Sequence, residues 1–302
     1  MLGCRRTPPV AAPPATSNTN TSIAVLTSVG FKQLKAEEYA NGVEGLGADI
    51  VVGLGDVPYG RSLGSKRVQK ATDRSIDWLQ DHVALRKNHA DSPDFKAQAQ
   101  LFAPLLPLSC ANQQFYIDSL VEDARDDISG LAIYNAETLQ DLPEQLVSLP
   151  RLDFTEPNTP LEVLRQIASG MDIITLPFIS AVTDAGIAFD FTFPGPSTLP
   201  SEPLPLGIDF WTADCATDLG PLRKGCSCYA CSDHHRAFLK HLLAAKEMLG
   251  WVLLQIHNYH VIDAFFADIR ASIKAGTFEA DVEKFSRSYE ADFPEKTGQG
   301  PR

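Results

Sequence analysis

Three cysteines fall within six residues, Cys226, Cys228 and Cys231, and no other feature of the chain limits its folded form so tightly. Thiolate sulfurs at these spacings can converge on one tetrahedral ion with little loop to close. Zinc suits such a set best, because sulfur and imidazole satisfy it and it needs no redox chemistry. A closed structural site asks for a fourth ligand, whereas three protein ligands and an open position would mark a catalytic ion. The chain offers His234, His235, His241, His257 and His260, and spacing by itself leaves that choice open. The rival reading is three free thiols, or one disulfide and a spare. Six cysteines in a chain of 302 residues point to a reducing compartment, which disfavours the bridge.

Composition narrows the setting. A chain with 44% hydrophobic and 21% charged residues buries a large core in one or two domains. The net charge of -12 repels nucleic acid, so contact with RNA requires a local basic patch or a partner. No apolar run reaches the length of a membrane span; the nearest, Trp251 to Ile256, is broken by His257 and Asn258. Residues 1–21 carry prolines and Ser/Thr but no acidic side chain, the first being Glu37, and are expected to form a disordered leader with no secretory core.

From Ser22 onward short apolar runs alternate with helical patterns. Candidate buried strands are Ile23–Leu26, Asp49–Leu54, Leu101–Leu106, Leu131–Tyr134, Asp172–Leu176 and Ala188–Phe193. Between them Val68, Ala71, Ser75, Trp78 and Leu79 recur at helical spacing, as do Phe115, Leu120, Val121 and Ala124. Thr159, Pro160 and Glu162 form a capping box with proline at the first helical position, and Gly170 ends that helix. Strand–helix alternation predicts a parallel α/β sheet, either open and doubly wound or closed as a barrel. No glycine-rich phosphate loop supports the nucleotide-binding version. Asp233 is expected to cap a long helix running to Met248, followed by an amphipathic stretch from Val261 to Ile273.

The run Asp214-Cys215-Ala216-Thr217-Asp218-Leu219-Gly220-Pro221-Leu222 leads into the cysteine cluster, Arg236 to Leu243 follows, and His257-Asn258 closes the pattern. Together these residues resemble the tRNA-guanine transglycosylase family, whose zinc motif is Cys-x-Cys-x-x-Cys with a downstream His-Asn. The resemblance makes His257, 26 residues after Cys231, the fourth ligand of one Zn2+ held with Cys226, Cys228 and Cys231. It implies a (β/α)8 TIM-type barrel, N-terminally incomplete in this chain, with an attached zinc-binding subdomain. The layout that follows is a leader at 1–21, a barrel portion at 22–213, the zinc-binding subdomain at 214–260, a C-terminal helical segment at 261–294 and a disordered tail at 295–302.

The family exchanges guanine at the anticodon wobble position of tRNA for a deazaguanine, queuine in eukaryotes. Base exchange needs one carboxylate to attack the anomeric carbon and another to move protons. By resemblance Asp190 stands in the nucleophile slot and Asp56 in the acid/base slot, but the surroundings are eroded. Gly195 stands where the family's strand runs on to Thr-Arg. Tyr134 and Asn135 replace small residues of the base pocket, and Ala111-Asn112-Gln113 stands near a Gln-Gly-Gly element. Ser65 to Ser75 resembles the accessory, non-catalytic branch of the eukaryotic queuine tRNA-ribosyltransferases. The reading that follows is a subunit with no catalytic residues, Asp56 and Asp190 being vestigial, paired as a heterodimer with a catalytic queuine tRNA-ribosyltransferase subunit. It would meet tRNA through that complex and carry no integral membrane segment. Its place would be cytoplasmic, with peripheral association with the mitochondrial outer membrane. The alternative is an active transglycosylase with Asp190 as nucleophile and Asp56 as general acid/base.

Plain structural roles compete with these. Asp190 between phenylalanines can cap a loop, and Asp56 before Val57-Pro58 can shape a turn. Lys66, Lys70 and Arg74 lie at i, i+4, i+8 and share a face with Arg61 and Arg67 nearby, fit for phosphates or simply solvated. His241 is expected to be packed or to support a ligand.

Overall fold

The computed structural model describes residues 1–4, 17–57, 64–89 and 99–295. Packing divides the chain into two compact units. The first comprises Met1–Glu156 with Ser169–Thr175, and the second Pro157–Ala168 with Leu176–Arg302.

The first unit opens with a hairpin, β1 (Ser22–Thr27) and β2 (Gly30–Lys35), and continues through α1 (Ala36–Gly45), β3 (Ile50–Val52) and α2 (Ser65–His89). Next come β4 (Gln100–Leu105), α3 (Gln114–Glu122), β5 (Gly130–Ile133), α4 (Glu144–Val147) and β6 (Arg151–Asp153). The segment α5 (Pro160–Ala168) belongs to the second unit, and the chain then returns for β7 (Ile173–Ile174). Strands β3 to β7 form one parallel sheet in strictly sequential order. A doubly wound sheet reverses its order partway, so the sequential order excludes that alternative for these strands. Right-handed crossovers that always step the same way stack their helices on one face.

Strand alternation sorts the core accordingly. Val51, Leu101, Ala103, Leu131 and Ile133 pack with Tyr39 and Val43 of α1, Trp78, Leu79 and Val83 of α2, and Tyr116, Ile117 and Leu120 of α3. Val52, Phe102, Ala132 and Leu152 fill the opposite face with Phe154 and part of Tyr134. Both faces are covered, which is why these strands read as near-continuous apolar runs. Helices α1 and α2 are joined by a buried carboxylate. Glu44 takes hydrogen bonds from His82 Nε2 (2.9 Å) and Arg86 Nε (2.7 Å), and Arg86 also donates to the Ala99 carbonyl. Burial holds the His82 imidazole below its usual range.

One core polar group stands apart. The Tyr116 hydroxyl is buried and has no hydrogen-bond partner among the described residues. Burial pushes this phenol well above its ordinary pKa. Tyr116→Phe is therefore expected to leave stability unchanged or raise it by about 1 kcal/mol. A denaturant titration showing a loss of more than about 1 kcal/mol would reveal a hydrogen bond that this arrangement lacks.

Several expectations need correction. The run Ile23–Leu26 is a strand but pairs antiparallel with β2 outside the parallel sheet. Leu2 sits beside β3 instead, bridging Val51, with Leu2 N to Ile50 O at 2.8 Å and Val52 N to Leu2 O at 2.9 Å. Most of the expected leader, residues 5–16, lies outside the described residues, as does the tail from residue 296. Of the expected (β/α)8 barrel, the described strands show a sequential parallel portion. The parallel sheet has five strands, and β8 (Ile187–Phe189) pairs antiparallel with β9 (Gly207–Asp209) in a separate ribbon. Phe115 is exposed and not part of the buried stripe of α3.

The second unit begins with α5, where the Thr159 half of the capping box forms and Glu162 reaches one residue further back. Thr159 Oγ1 accepts from the Glu162 amide (3.3 Å), and Glu162 Oε2 accepts from the Asn158 amide (2.6 Å). After α6 (Phe178–Asp184) and the β8–β9 ribbon come α7 (Tyr229–Asp233), α8 (Arg236–Ala244), α9 (Met248–Ala275) and α10 (Phe278–Ser288). Asp233 therefore closes a short helix and does not cap a long one. His235 Nδ1 caps α8 by accepting from the Phe238 amide at 3.1 Å. Gly250 lies in the first turn of α9, where a Cβ would come within 3.1–3.2 Å of Leu243 and Leu242.

The 28-residue α9 is the spine of this unit and packs on α6, α7, α8, α10 and β8. Just past β8, Phe191 and Phe193 meet Phe265 of α9 and Phe285 of α10, and Phe189 packs on Phe191. Phe293 stacks on Phe189 with centroids 5.1 Å apart. Such offset and edge-on aromatic pairs add to the burial they bring. Between these phenylalanines Asp190 is half-buried and Thr192 exposed.

Candidate metal centre

The cysteine segment is shaped by its backbone before any ion is considered. Gly225 adopts φ 77°, a left-handed conformation that lets the chain turn sharply into Cys226. The Cys226 amide donates to Arg223 O (3.2 Å). Cys228 sits at the N-cap of α7, and its carbonyl accepts from the Cys231 and Ser232 amides, each at 3.0 Å. One turn of α7 thus returns Cys231 to the side of Cys228. The preceding segment is pinned by Arg236, whose guanidinium donates to Pro221 O, Leu222 O and Asp218 Oδ2, each at 3.0 Å.

Helix α9 carries the fourth group. His257 Nδ1 lies 3.7 Å from Cys226 Sγ, 3.4 Å from Cys228 Sγ and 3.3 Å from Cys231 Sγ. All four donor atoms lie within 4.8 Å of one another. A tetrahedral ion with metal–sulfur bonds near 2.3 Å and metal–nitrogen bonds near 2.0 Å requires sulfur–nitrogen separations of about 3.5 Å. The observed spacing meets that requirement.

Protonation agrees with the geometry. His257 is fully buried, and burial holds its pKa down at about 4, so the ring is neutral and a competent donor. Its Nε2–H donates to the Phe189 carbonyl (2.9 Å), which leaves the Nδ1 lone pair aimed at the sulfurs. Burial pushes the Cys228 thiol up and the Cys231 thiol up to about 12. A cation bound here would displace the thiol protons and balance the thiolate charge. Four protein donors close the coordination sphere, the arrangement of a structural site.

The neighbouring Asn258 fastens strand β8. Its Oδ1 accepts from the Phe189 amide (2.8 Å), and its Nδ2 donates to Ile187 O (3.0 Å) and Thr183 Oγ1 (2.9 Å). The other histidines are not in the cluster. His234 stacks on Phe238, His235 caps α8, and His241 is exposed, contrary to its expected packed role.

The two aspartates stand in different units. Asp190 is half-buried, and its amide donates to Leu206 O (2.9 Å). Its carboxylate takes no hydrogen bond among the described residues. Burial raises its pKa against the pull of the Arg236 and Arg223 guanidiniums.

Asp56 is the opposite case. Its side chain is fully buried and both oxygens are occupied. Arg67 forks onto it with Nη1–Oδ2 at 2.9 Å and Nη2–Oδ1 at 2.6 Å. Arg74 Nη1 adds a contact to Oδ2 at 2.9 Å, and Asn18 Nδ2 one to Oδ1 at 2.6 Å. Ser75 Oγ accepts from the Asp56 amide (3.0 Å). Planar bidentate pairs of this kind are strong and geometrically fixed. Arg67 and Arg74 therefore turn inward, while Lys66 and Lys70 remain exposed; Arg61 lies outside the described residues. The helical spacing was legible, but nothing in the sequence marked Asp56 as the target of two guanidiniums, or Asn18 as a third donor.

The residues that the resemblance sets against the family's base pocket have structural roles here. Tyr134 packs against Phe154 (centroids 5.2 Å), and Asn135 Oδ1 accepts from the Glu137 amide to cap a short 3-10 turn. The buried Gln113 side chain bonds Leu106 N, Leu106 O and Leu108 O of its own loop.

A parallel α/β sheet in sequential order, with a Cys3His cluster that could hold a metal ion, defines the class of protein. A family model described as queuine tRNA-ribosyltransferase matches residues 9–291, and the chain belongs to this family. It is 37% identical to queuine tRNA-ribosyltransferase accessory subunit 2 of Schizosaccharomyces pombe, over 100% of this chain and 67% of that protein. The protein of the same name from Xenopus laevis is 27% identical over 93% of this chain and 76% of its own length. That from Anopheles gambiae is 31% identical over 82% and 60%.

Proposed function

We propose that this chain is the non-catalytic accessory subunit of a queuine tRNA-ribosyltransferase. It supports exchange of guanine for queuine at the wobble position of tRNA as a heterodimer with a catalytic subunit. The observation that carries this reading is Asp56. The carboxylate that would have to move protons is sealed from solvent and saturated by Arg67, Arg74 and Asn18. Every relative quoted above bears the accessory-subunit name. The sequential strand order supports reading the parallel sheet as part of a (β/α)8 barrel. The three-sulfur, one-imidazole donor set supports Zn2+ as the ion, in a structural role.

A surface for the partner is also at hand. Leu249, Val252, Ile256 and Tyr259 recur at heptad-like spacing on α9 and are 39–47% exposed. An apolar stripe of this kind on a long helix fits a protein interface. With net charge -12, the chain leaves most tRNA phosphate contacts to the catalytic subunit. A cytoplasmic place, with peripheral association with the mitochondrial outer membrane, goes with this reading. No described helix is long and apolar enough to cross a membrane. The Asp190 carboxylate, which takes no hydrogen bond among the described residues, is the observation that favours an active transglycosylase.

The test incubates purified chain with tRNA and labelled guanine, alone and with the catalytic subunit. Label is expected to enter tRNA only in the presence of the catalytic subunit. Val252→Glu combined with Ile256→Glu is expected to abolish co-purification while leaving the metal in place. Exchange by the isolated chain would overturn the assignment in favour of catalysis through Asp190.

A further inference from the structure

Among the described residues strand β8 has one strand neighbour. On that side it pairs with β9 through Ile187–Asp209, Ala188–Ile208 and Phe189–Gly207. On the other side the Ile187 carbonyl and both backbone groups of Phe189 point away from β9, as alternate residues of a strand must. Buried and unpaired, these groups would each be costly. The His257–Asn258 dipeptide of α9 takes all three. Asn258 Oδ1 receives the Phe189 N–H, Asn258 Nδ2 donates to Ile187 O, and His257 Nε2 donates to Phe189 O. The second Nδ2 hydrogen goes to Thr183 Oγ1, which itself donates to Ile179 O. Both hydrogens and the oxygen of the Asn258 amide are thereby engaged, and a flipped amide would set donor against donor at Phe189. Two adjacent side chains of a helix thus stand in for a missing strand.

This arrangement makes the imidazole only as well placed as the carbonyl that receives it. We propose that Asn258 is a positioning residue for the metal centre. By clamping β8 through Phe189 N–H and Ile187 O it fixes the Phe189 carbonyl. That carbonyl holds His257 in the ring orientation and tautomer that present Nδ1 to Cys226, Cys228 and Cys231. The inference rests on the metal reading above, but Asn258 touches no donor atom of the cluster. By the same linkage, a bound metal stiffens β8 up to Asp190, because locking His257 locks its acceptor.

Apo full-length protein is titrated with Co2+, read by its tetrahedral d–d bands and thiolate charge-transfer absorption. Zn2+ affinity is then obtained by competition. Wild type, Asn258→Ala and Thr183→Val are compared, with exchange of the Phe189 amide hydrogen as a second readout. Asn258→Ala is expected to keep the three-thiolate charge-transfer signature and to lose roughly 10- to 100-fold in affinity. Its Phe189 amide is expected to exchange faster even when metal is bound. Thr183→Val, which frees one hydrogen of the clamp, is expected to lose less, in the same direction. Wild-type affinity in Asn258→Ala overturns the proposal. If that variant fails to fold, unchanged affinity in Thr183→Val does so. Wild-type protein that binds neither ion overturns the metal reading itself, an outcome distinct from a centre that binds normally without the clamp.

Discussion

His257→Ala is expected to empty the metal centre and to collapse the cooperative melting of the second unit. The substitution removes one of four donors and also the only bond from the imidazole to Phe189 O. It leaves a cavity beside two buried thiols and one half-buried thiol, and a carbonyl without its donor. Structural zinc contributes on the order of 10 kcal/mol where folding and binding are coupled. A domain has only about 5–15 kcal/mol of net stability to lose. Even half of the metal contribution, about 5 kcal/mol, lowers the midpoint of a domain this size by roughly 10–20 °C. Elemental analysis paired with thermal melting reads both effects. Full metal content in the variant would mean that the fourth ligand lies elsewhere.

Asp56→Ala is expected to destabilise the first unit by about 3 kcal/mol. The estimate sits at the low end for a broken buried pair, because Arg67 is 37% exposed and water can recover part of its charge. Arg74 is only 14% exposed and has no comparable refuge. The sign carries the meaning. A carboxylate kept for proton transfer stores strain, so its removal tends to leave stability unchanged or to improve it. A carboxylate kept to gather two guanidiniums behaves in the opposite way. Chemical denaturation of wild type and variant separates the two, and an unchanged midpoint would return Asp56 to the list of working acids. Arg74→Ala is expected to cost a similar amount, and the double variant less than the sum of the two, since the groups share one network.

What could be read before folding was local. Three of the metal donors lie within six residues, so their spacing alone announced them. The fourth arrives on α9, 26 residues later, and only a family resemblance could single it out from five histidines. Strands β3, β4 and β5 were legible because both faces are buried and the runs are apolar. Strand β6 was not: Arg151-Leu152-Asp153 has one apolar side chain, and its partners on both sides supply the rest. Strand β2, Gly-Phe-Lys-Gln-Leu-Lys, is mostly solvent-facing and read as polar chain. The break between α7, α8 and α9 was hidden because Ala237 to Met248 keeps helical apolar spacing across the turn at Ala245–Glu247. Ion pairs across long separations, such as Arg67 and Arg74 with Asp56 or Arg86 with Glu44, leave no trace in local periodicity.

The most direct test of the Cys3His centre is X-ray absorption at the zinc edge on freshly purified full-length protein. One zinc per chain is predicted, with three sulfurs near 2.3 Å and one nitrogen near 2.0 Å and no open position. A shell of oxygens, fewer than three sulfurs, or no zinc at all would contradict a structural ion held by Cys226, Cys228, Cys231 and His257.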